Sequence, residues 1–222
     1  MTAPDWWQKP RRISLVVDND SWVLPHVERL ADELNGNGDE AVVCRNHEQI
    51  GEGAVALYLG CIHITPEEVL ARNRRNLVIH ASDLPKGRGF SPLTWQILEG
   101  VNSIPVCLLE AARDVDAGAV IYRETLEFEG HELLDEMREK LGQLTIEFCN
   151  RYLNEPEPPT GEEQSGKPTY YERRRPEDSR LDPGKSIAEQ FNLLRTVDND
   201  CYPAFFDHDG HRYVVRIDKQ DE

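Results

Sequence analysis

Residues Val78–Pro92 read VIHASDLPKGRGFSP, an apolar run that meets a histidine and then a polar loop punctuated by proline and glycine. Asn76 to His80 has the character of a short strand buried inside a parallel sheet. Pro85, Gly87 and Gly89 deny the next residues both helix and ladder, so the chain must loop. Pro92 suits the first turn of a helix over LTWQILEG, with Ser91 as its cap. A histidine at the carboxyl end of a parallel strand stands where open α/β sheets bind ligands. The other reading is a core histidine that donates to a backbone carbonyl.

Strand and helix alternate on either side of this stretch. Upstream, Ile13–Val17 is β-rich and ends in DNDSW, after which Val23, Val27, Leu30, Ala31 and Leu34 recur at helical spacing. The helix stops at Asn35-Gly36-Asn37-Gly38, and Ala41–Cys44 supplies a second strand. Ala54–Leu59 is a third, followed by TPEEVLA, a helix capped by Thr65 with Pro66 in its first turn. Downstream, Ile104–Leu109 and Val120–Phe128 are strands joined by EAARDVDAG, and residues 130–153 carry the apolar stripe of the longest helix. The alternation predicts an α/β fold, a Rossmann-like, doubly wound and mainly parallel sheet with helices on both faces. This core spans residues 1–153. Residues 154–168, NEPEPPTGEEQSGKP, form a surface linker. Residues 169–222 make a small C-terminal lobe, with SIAEQFNLLRTV as a helix capped by Ser186 and a hairpin turning at Asp207–Gly210.

Composition narrows the function. The net charge of −16, from 41 acidic against 25 basic residues, opposes a nucleic-acid partner, whose binding rests on cations at phosphates. No apolar run approaches a bilayer span, and MTAPDWWQKPRR lacks the apolar centre of a signal peptide, so a cytoplasmic protein without a membrane partner is expected. Five scattered cysteines indicate neither a disulfide frame nor a metal site. The absence of GxGxxG, GxxxxGK[ST] and GxSxG argues against dinucleotide oxidoreductases, P-loop phosphotransferases and α/β-hydrolases. Asp18–Trp22 precedes a helix amino terminus, where free amides favour an anion such as a phosphate; capping by Asp20 or Ser21 is the alternative.

Asp116 also stands past a strand, so it and His80 can share one crevice at the sheet's carboxyl edge. A carboxylate beside a histidine orients the ring, favours its protonated form, and lets it stabilise an oxyanion or move a proton. More specific is the order of the motif residues: His80, Ser82, Leu84, Pro85, Arg88, Gly89, Pro92, Asp116 and Gly118 fall on His, Ser-x-Leu-Pro, Arg-Gly and Asp-x-Gly. In this the chain resembles the 10-formyltetrahydrofolate-dependent formyltransferases. Its tail, RRRPEDSRLD with FNLLRTVDNDCYPAFF, is similar to the end of the sugar N-formyltransferases that modify nucleotide-linked 4-amino-4-deoxy sugars. The likeness covers most of residues 13–217.

The resemblance implies an enzyme that transfers a formyl group from 10-formyltetrahydrofolate to an amine without a metal. His80 would stabilise the oxyanion, and Asp116 would sustain its charge and help remove the amine proton. Cofactor contacts map onto Gly60, Cys61, Ile62 and Ile64 and onto Ala112, Arg113 and Asp114. Ser21, Trp22, Ser82, Lys86, Arg88 and Arg175 are the candidate acceptor residues. A nucleotide-linked sugar needs only a local group of cations, which Lys86, Arg88 and the run Arg173–Arg175 supply; pairing of that run with Glu172 and Glu177 is the alternative. Phe205, Phe206 and Trp95 are expected in packing roles, with stacking of Tyr202, Phe205 and Phe206 on a base as the alternative.

One residue departs from the family pattern. Two positions before the histidine the family carries asparagine, and this chain has Val78, which cannot donate a hydrogen bond. Loss of one oxyanion donor typically costs about 100- to 1000-fold in rate, so Ser82, Ser91, a backbone amide or water would have to substitute. The resulting expectation is N-formylation of the 4-amino group of a nucleotide-linked 4-amino-4,6-dideoxyhexose, in surface-polysaccharide or nonulosonic-acid synthesis. The alternatives are glycinamide ribonucleotide formylation and a non-catalytic module that binds folate or a sugar nucleotide. The apolar strand YVVRI beside FF points to a homodimer.

Overall fold

The computed structural model describes residues 3–220. Each apolar run becomes a strand. In chain order the elements are β1 (Arg12–Val16), α1 (Leu24–Gly36), β2 (Glu40–Cys44), β3 (Gly53–Tyr58), α2 (Glu67–Leu70), β4 (Asn73–His80), β5 (Arg88–Gly89) and α3 (Pro92–Leu98). They continue with β6 (Ser103–Glu110), β7 (Val120–Glu127), α4 (Leu134–Leu153), β8 (Tyr170–Tyr171), α5 (Phe191–Leu194), β9 (Ala204–His208) and β10 (His211–Val215). The main sheet has the order β2-β1-β3-β4-β6-β7. Its first four strands are parallel, while β6 runs against both β4 and β7. The sheet is therefore mainly parallel with one reversed strand, which strand–helix alternation does not reveal.

The larger core lies where Ile13, Leu15, Val55, Leu57, Leu77, Val106 and Leu108 meet Val27 and Leu30 of α1, Ile97 of α3 and Met137 and Phe148 of α4. Burying each such side chain contributes about 1.5–3 kcal/mol. The opposite face is thinner: Val16, Ile50, Ala56 and Tyr58 pack on Val69 of the four-residue α2. Helix starts differ from expectation. Ser91 precedes α3 in a left-handed conformation without a side-chain cap, and Pro66, not Thr65, holds the cap position of α2. Thr65 instead lies 3.3 Å from His47 Nε2. No helix among the described residues is long and apolar enough to cross a membrane.

α4 ends at Leu153, but residues 154–168 do not run free. Val120 and Glu162 exchange backbone hydrogen bonds of 2.8 Å each, and β8 pairs with β5 in the histidine loop. Residues 154–171 together form a strap laid along the core. Beyond it, the lobe is locked to the core by Arg195. Its side chain is fully buried, donating to Asn102 Oδ1 and lying 3.9 Å from Glu132 Oε2. Ser186 does not hold the cap position, which falls to Ile187 before the turn Ala188–Gln190; its amide and hydroxyl engage Glu189 instead. The hairpin turns at Asp209 and Gly210, both at positive φ, the conformation a tight two-residue turn needs.

Candidate active site

His80 ends β4 and is 6% exposed. Its Nε2 lies 2.7 Å from the Gly87 carbonyl and its Nδ1 3.4 Å from Asp116 Oδ2. Both partners are acceptors, so a ring with hydrogen on each nitrogen satisfies both. The carbonyl contact of a core histidine and the acid–base pair, set against each other in the sequence, occur together.

Asp116 arrives by a different route from the one expected. Because β6 is antiparallel to β4, Glu110 at its end pairs with Leu77, three residues short of His80. Residues 111–119 then fold back up to the histidine. Gly118 permits this, since a Cβ there would lie 1.8 Å from the Glu110 carbonyl oxygen. Asp116 itself sits at φ +52, a region non-glycine residues rarely adopt and that costs about 1–3 kcal/mol. Its Oδ2 accepts from the Gly89 amide at 2.9 Å.

The histidine loop is fixed mainly by the strap. Gly87 N donates to Thr169 Oγ1 at 2.8 Å, Arg88 N to the Thr169 carbonyl at 3.0 Å, and Phe90 N to the Tyr171 carbonyl at 3.2 Å. Gly89 is at φ +100 and passes so near Tyr171 that a Cβ would lie 2.5 Å from its carbonyl oxygen. Tyr171 stacks on Trp95, whose Nε1 donates to the Glu172 carbonyl, so Trp95 packs as expected.

A cavity of about 1410 Å³ is lined by His80 and Asp116. Of the candidate cofactor residues, Gly60, Cys61, Ile62, Ile64, Ala112 and Arg113 line it and Asp114 does not. Ile64 is 70% exposed and Val115 39%, so two apolar side chains stand open on these walls. They fit the apolar ring body of a folate, with backbone groups for its polar edge. The Ile62 amide, however, is already committed to Asp18. That carboxylate accepts from the amides of Ile62 and His63 at 2.9 Å each and from Asn19. Burial alone would raise its pKa, but these hydrogen bonds outweigh burial and hold it below the usual carboxylate value. Asp18 thus places a negative charge in the loop expected to attract an anion. Neither expected cap is used as such: Asp20 pairs with Arg45 at 2.8 Å, and Val23 holds the cap position of α1. Burial, followed by the Asp18 charge, pushes the Cys61 thiol up to about 12.

Of the candidate acceptor residues, Ser21, Trp22 and Arg175 line the cavity, whereas Ser82, Lys86 and Arg88 do not. Ser82 is 1% exposed, and its hydroxyl has no hydrogen-bond partner among the described residues. Lys86 is exposed outside the cavity. Arg88 donates through Nη2 and Nε to Gln164 Oε1, at 2.7 and 3.2 Å. The arginine run divides. Arg174 is structural, donating to the carbonyls of Thr196 and Asp178 over the Trp95 ring, and burial lowers its pKa. Arg173 and Arg175 also line the cavity and form no salt bridge among the described residues, Arg173 lying over Phe90. Phe205 is buried, while half-buried Phe206 stacks on Tyr213. Val78 lines the cavity and packs among apolar side chains, including Leu84 and Leu109. Asn76 is spent elsewhere, donating to the Leu70 carbonyl and accepting from Tyr58. Among the described residues no group of three or more His, Cys, Asp or Glu could hold a metal.

The sequence model of the formyl transferase family matches residues 30–151, more than half of the chain, and the chain belongs to that family. It is 28% identical over 148 residues to the methionyl-tRNA formyltransferase of Streptococcus gordonii, a match spanning 65% of this chain and 47%, about half, of that relative. In structure it resembles the methionyl-tRNA formyltransferase of Clostridium thermocellum, with a TM-score of 0.82 at 20% identity over 95% of this chain and 93% of the other. It also resembles a sugar N-formyltransferase from a Shewanella species, with a TM-score of 0.70 at 14% identity over 95% and 98% of the two chains. At these identities the structural likeness concerns the fold.

Proposed function

We propose that the chain transfers a formyl group from 10-formyltetrahydrofolate to the 4-amino group of a nucleotide-linked 4-amino-4,6-dideoxy sugar. The observation that carries this reading is the His80–Asp116 pair on the wall of a cavity that also presents Arg173 and Arg175, neither in a salt bridge among the described residues. Folate, when bound, supplies a formyl group on a nitrogen already activated by its ring system. Ile64, Val115 and the backbone of residues 60–64 and 111–113 hold it. As the amine attacks, the Nε2–H of His80, its ring oriented by Asp116, leaves the Gly87 carbonyl for the oxygen that gains charge; Asp116 takes up the proton the amine loses, which passes to the folate nitrogen as the C–N bond breaks and tetrahydrofolate leaves. Arg173 and Arg175 bind the phosphates of the acceptor.

An aminoacyl-tRNA acceptor is the second reading, favoured by the methionyl-tRNA formyltransferases among the relatives. The charge of −16 opposes it. Purified protein is incubated with 10-formyltetrahydrofolate and, separately, nucleotide 4-amino sugars, glycinamide ribonucleotide and initiator methionyl-tRNA. A gain of about 28 Da on one nucleotide sugar is the expected product. Formylation of the tRNA alone would replace this reading with the second, and folate binding without any product would make the chain a binding module.

A further inference from the structure

The Gln164 amide joins the two loops that meet His80. Its Nε2 donates to the carbonyls of Asp116 and Gly118, at 2.7 and 2.8 Å, while its Oε1 accepts both Arg88 hydrogen bonds. One loop carries Asp116; the other carries Gly87 and Gly89. The site demands an amide. Two carbonyls require a donor and the guanidinium requires an acceptor, and a carboxylate cannot donate to the first pair. The strap sets this side chain in place, since Glu162 is hydrogen-bonded to Val120 and Gly161 is seated so close to Ala119 that a Cβ would lie 2.7 Å from its carbonyl carbon. The anchored residue is also the strained one, because Asp116 at φ +52 needs its surroundings to hold that conformation.

We propose that Gln164 is a positioning residue for the His80–Asp116 pair, holding Asp116 Oδ2 within reach of both the histidine and the Gly89 amide. Arg88 of the Arg-Gly motif then serves as the partner of Gln164 and not as a ligand of the acceptor. Only the kinetic part of the test rests on the function proposed above.

Gln164→Ala removes the brace, and Gln164→Glu keeps its shape and the Arg88 contact while turning a carboxylate on the two carbonyls. Displacement of a catalytic group by about 1 Å costs on the order of 100-fold. Both variants are expected to lower kcat by about 10- to 100-fold with KM for both substrates within about twofold. Amide hydrogen exchange at Gly89 is expected to accelerate about tenfold or more, with Val55 and Leu57 of β3 unchanged. Wild-type kcat and Gly89 protection in both variants would overturn the proposal. So would a rise in KM alone, which would make Gln164 a substrate ligand, or parallel loss of protection at Val55 and Leu57, which would make it a general stabiliser. Selective loss of Gly89 protection in a protein that formylates no acceptor would uphold the brace and sink the proposed function.

Discussion

Gly118 passes Glu110 so closely that any side chain at 118 would strike the Glu110 carbonyl, and this contact turns the chain back to bring Asp116 to His80. Gly118→Ala is therefore expected to destabilise the protein by about 2–3 kcal/mol through overpacking against backbone. It should also lower kcat even where the protein remains folded. Denaturant titration measures the first effect and steady-state kinetics on the folded fraction the second.

His80→Ala and Asp116→Asn should each reduce kcat by about 100- to 10 000-fold, the range for loss of a positioned acid–base group. Folate binding, proposed above to rest on other walls of the cavity, should change little. Single-turnover rates set beside calorimetric binding separate the two. A His80→Ala protein that turns over at the wild-type rate would remove the pair from the mechanism.

Ser82→Ala should leave transfer unchanged and preserve or slightly raise stability, because it deletes a buried hydroxyl that has no partner among the described residues. Val78→Asn tests the missing donor more directly. An amide there should raise kcat by about 10-fold or more if no other group fills the role, while costing on the order of 1 kcal/mol for a polar group set among Leu84 and Leu109. Rate and melting temperature are the readouts.

Arg173→Ala combined with Arg175→Ala should raise the acceptor's KM by about tenfold or more and weaken the dependence of that KM on salt. The KM for folate should stay constant. Equal change in both constants would place the arginines outside the acceptor site.

Glu132 provides a test by acid. Burial opposes its ionisation, yet the Glu129 amide, Lys140 and the Gly130 amide outweigh this and lower its pKa to about 2. Its ordinary value is 4.5, so its contribution is fully present above pH 4.5 and is lost as pH falls through about 2. About 2–3 kcal/mol of stability should disappear across that window. Glu132→Gln should lower stability at neutral pH and flatten the same part of the profile, as urea midpoints at several pH values would record.

The main sheet was legible because its strands are apolar runs bounded by turn residues; Ile13, Leu57 and Leu77 are as buried as their surroundings in sequence imply. The direction of β6 was not. A helix lies between β4 and β6, as in a parallel crossover, and only the packed register reverses the strand. That His80 and Asp116 would meet was legible from the order of the motif residues. The positions of Ser82 and Arg88 were not, because a motif names a residue without saying which way its side chain turns. Gln164 and Thr169 left no signal, since a polar side chain that braces a loop and one that merely meets water have the same composition.

The strap also bears on how this domain could be recombined with others. A cut after Leu153 follows the end of α4 and looks like a natural seam, yet it would strip the amides of Gly87, Arg88 and Phe90 of their acceptors on Thr169 and Tyr171. A chimera joined there would inherit the histidine and the aspartate with the clasp that sets their spacing left behind. Exchange of acceptor specificity between relatives should therefore be made beyond Tyr171, so that the catalytic loop travels with the segment that closes it.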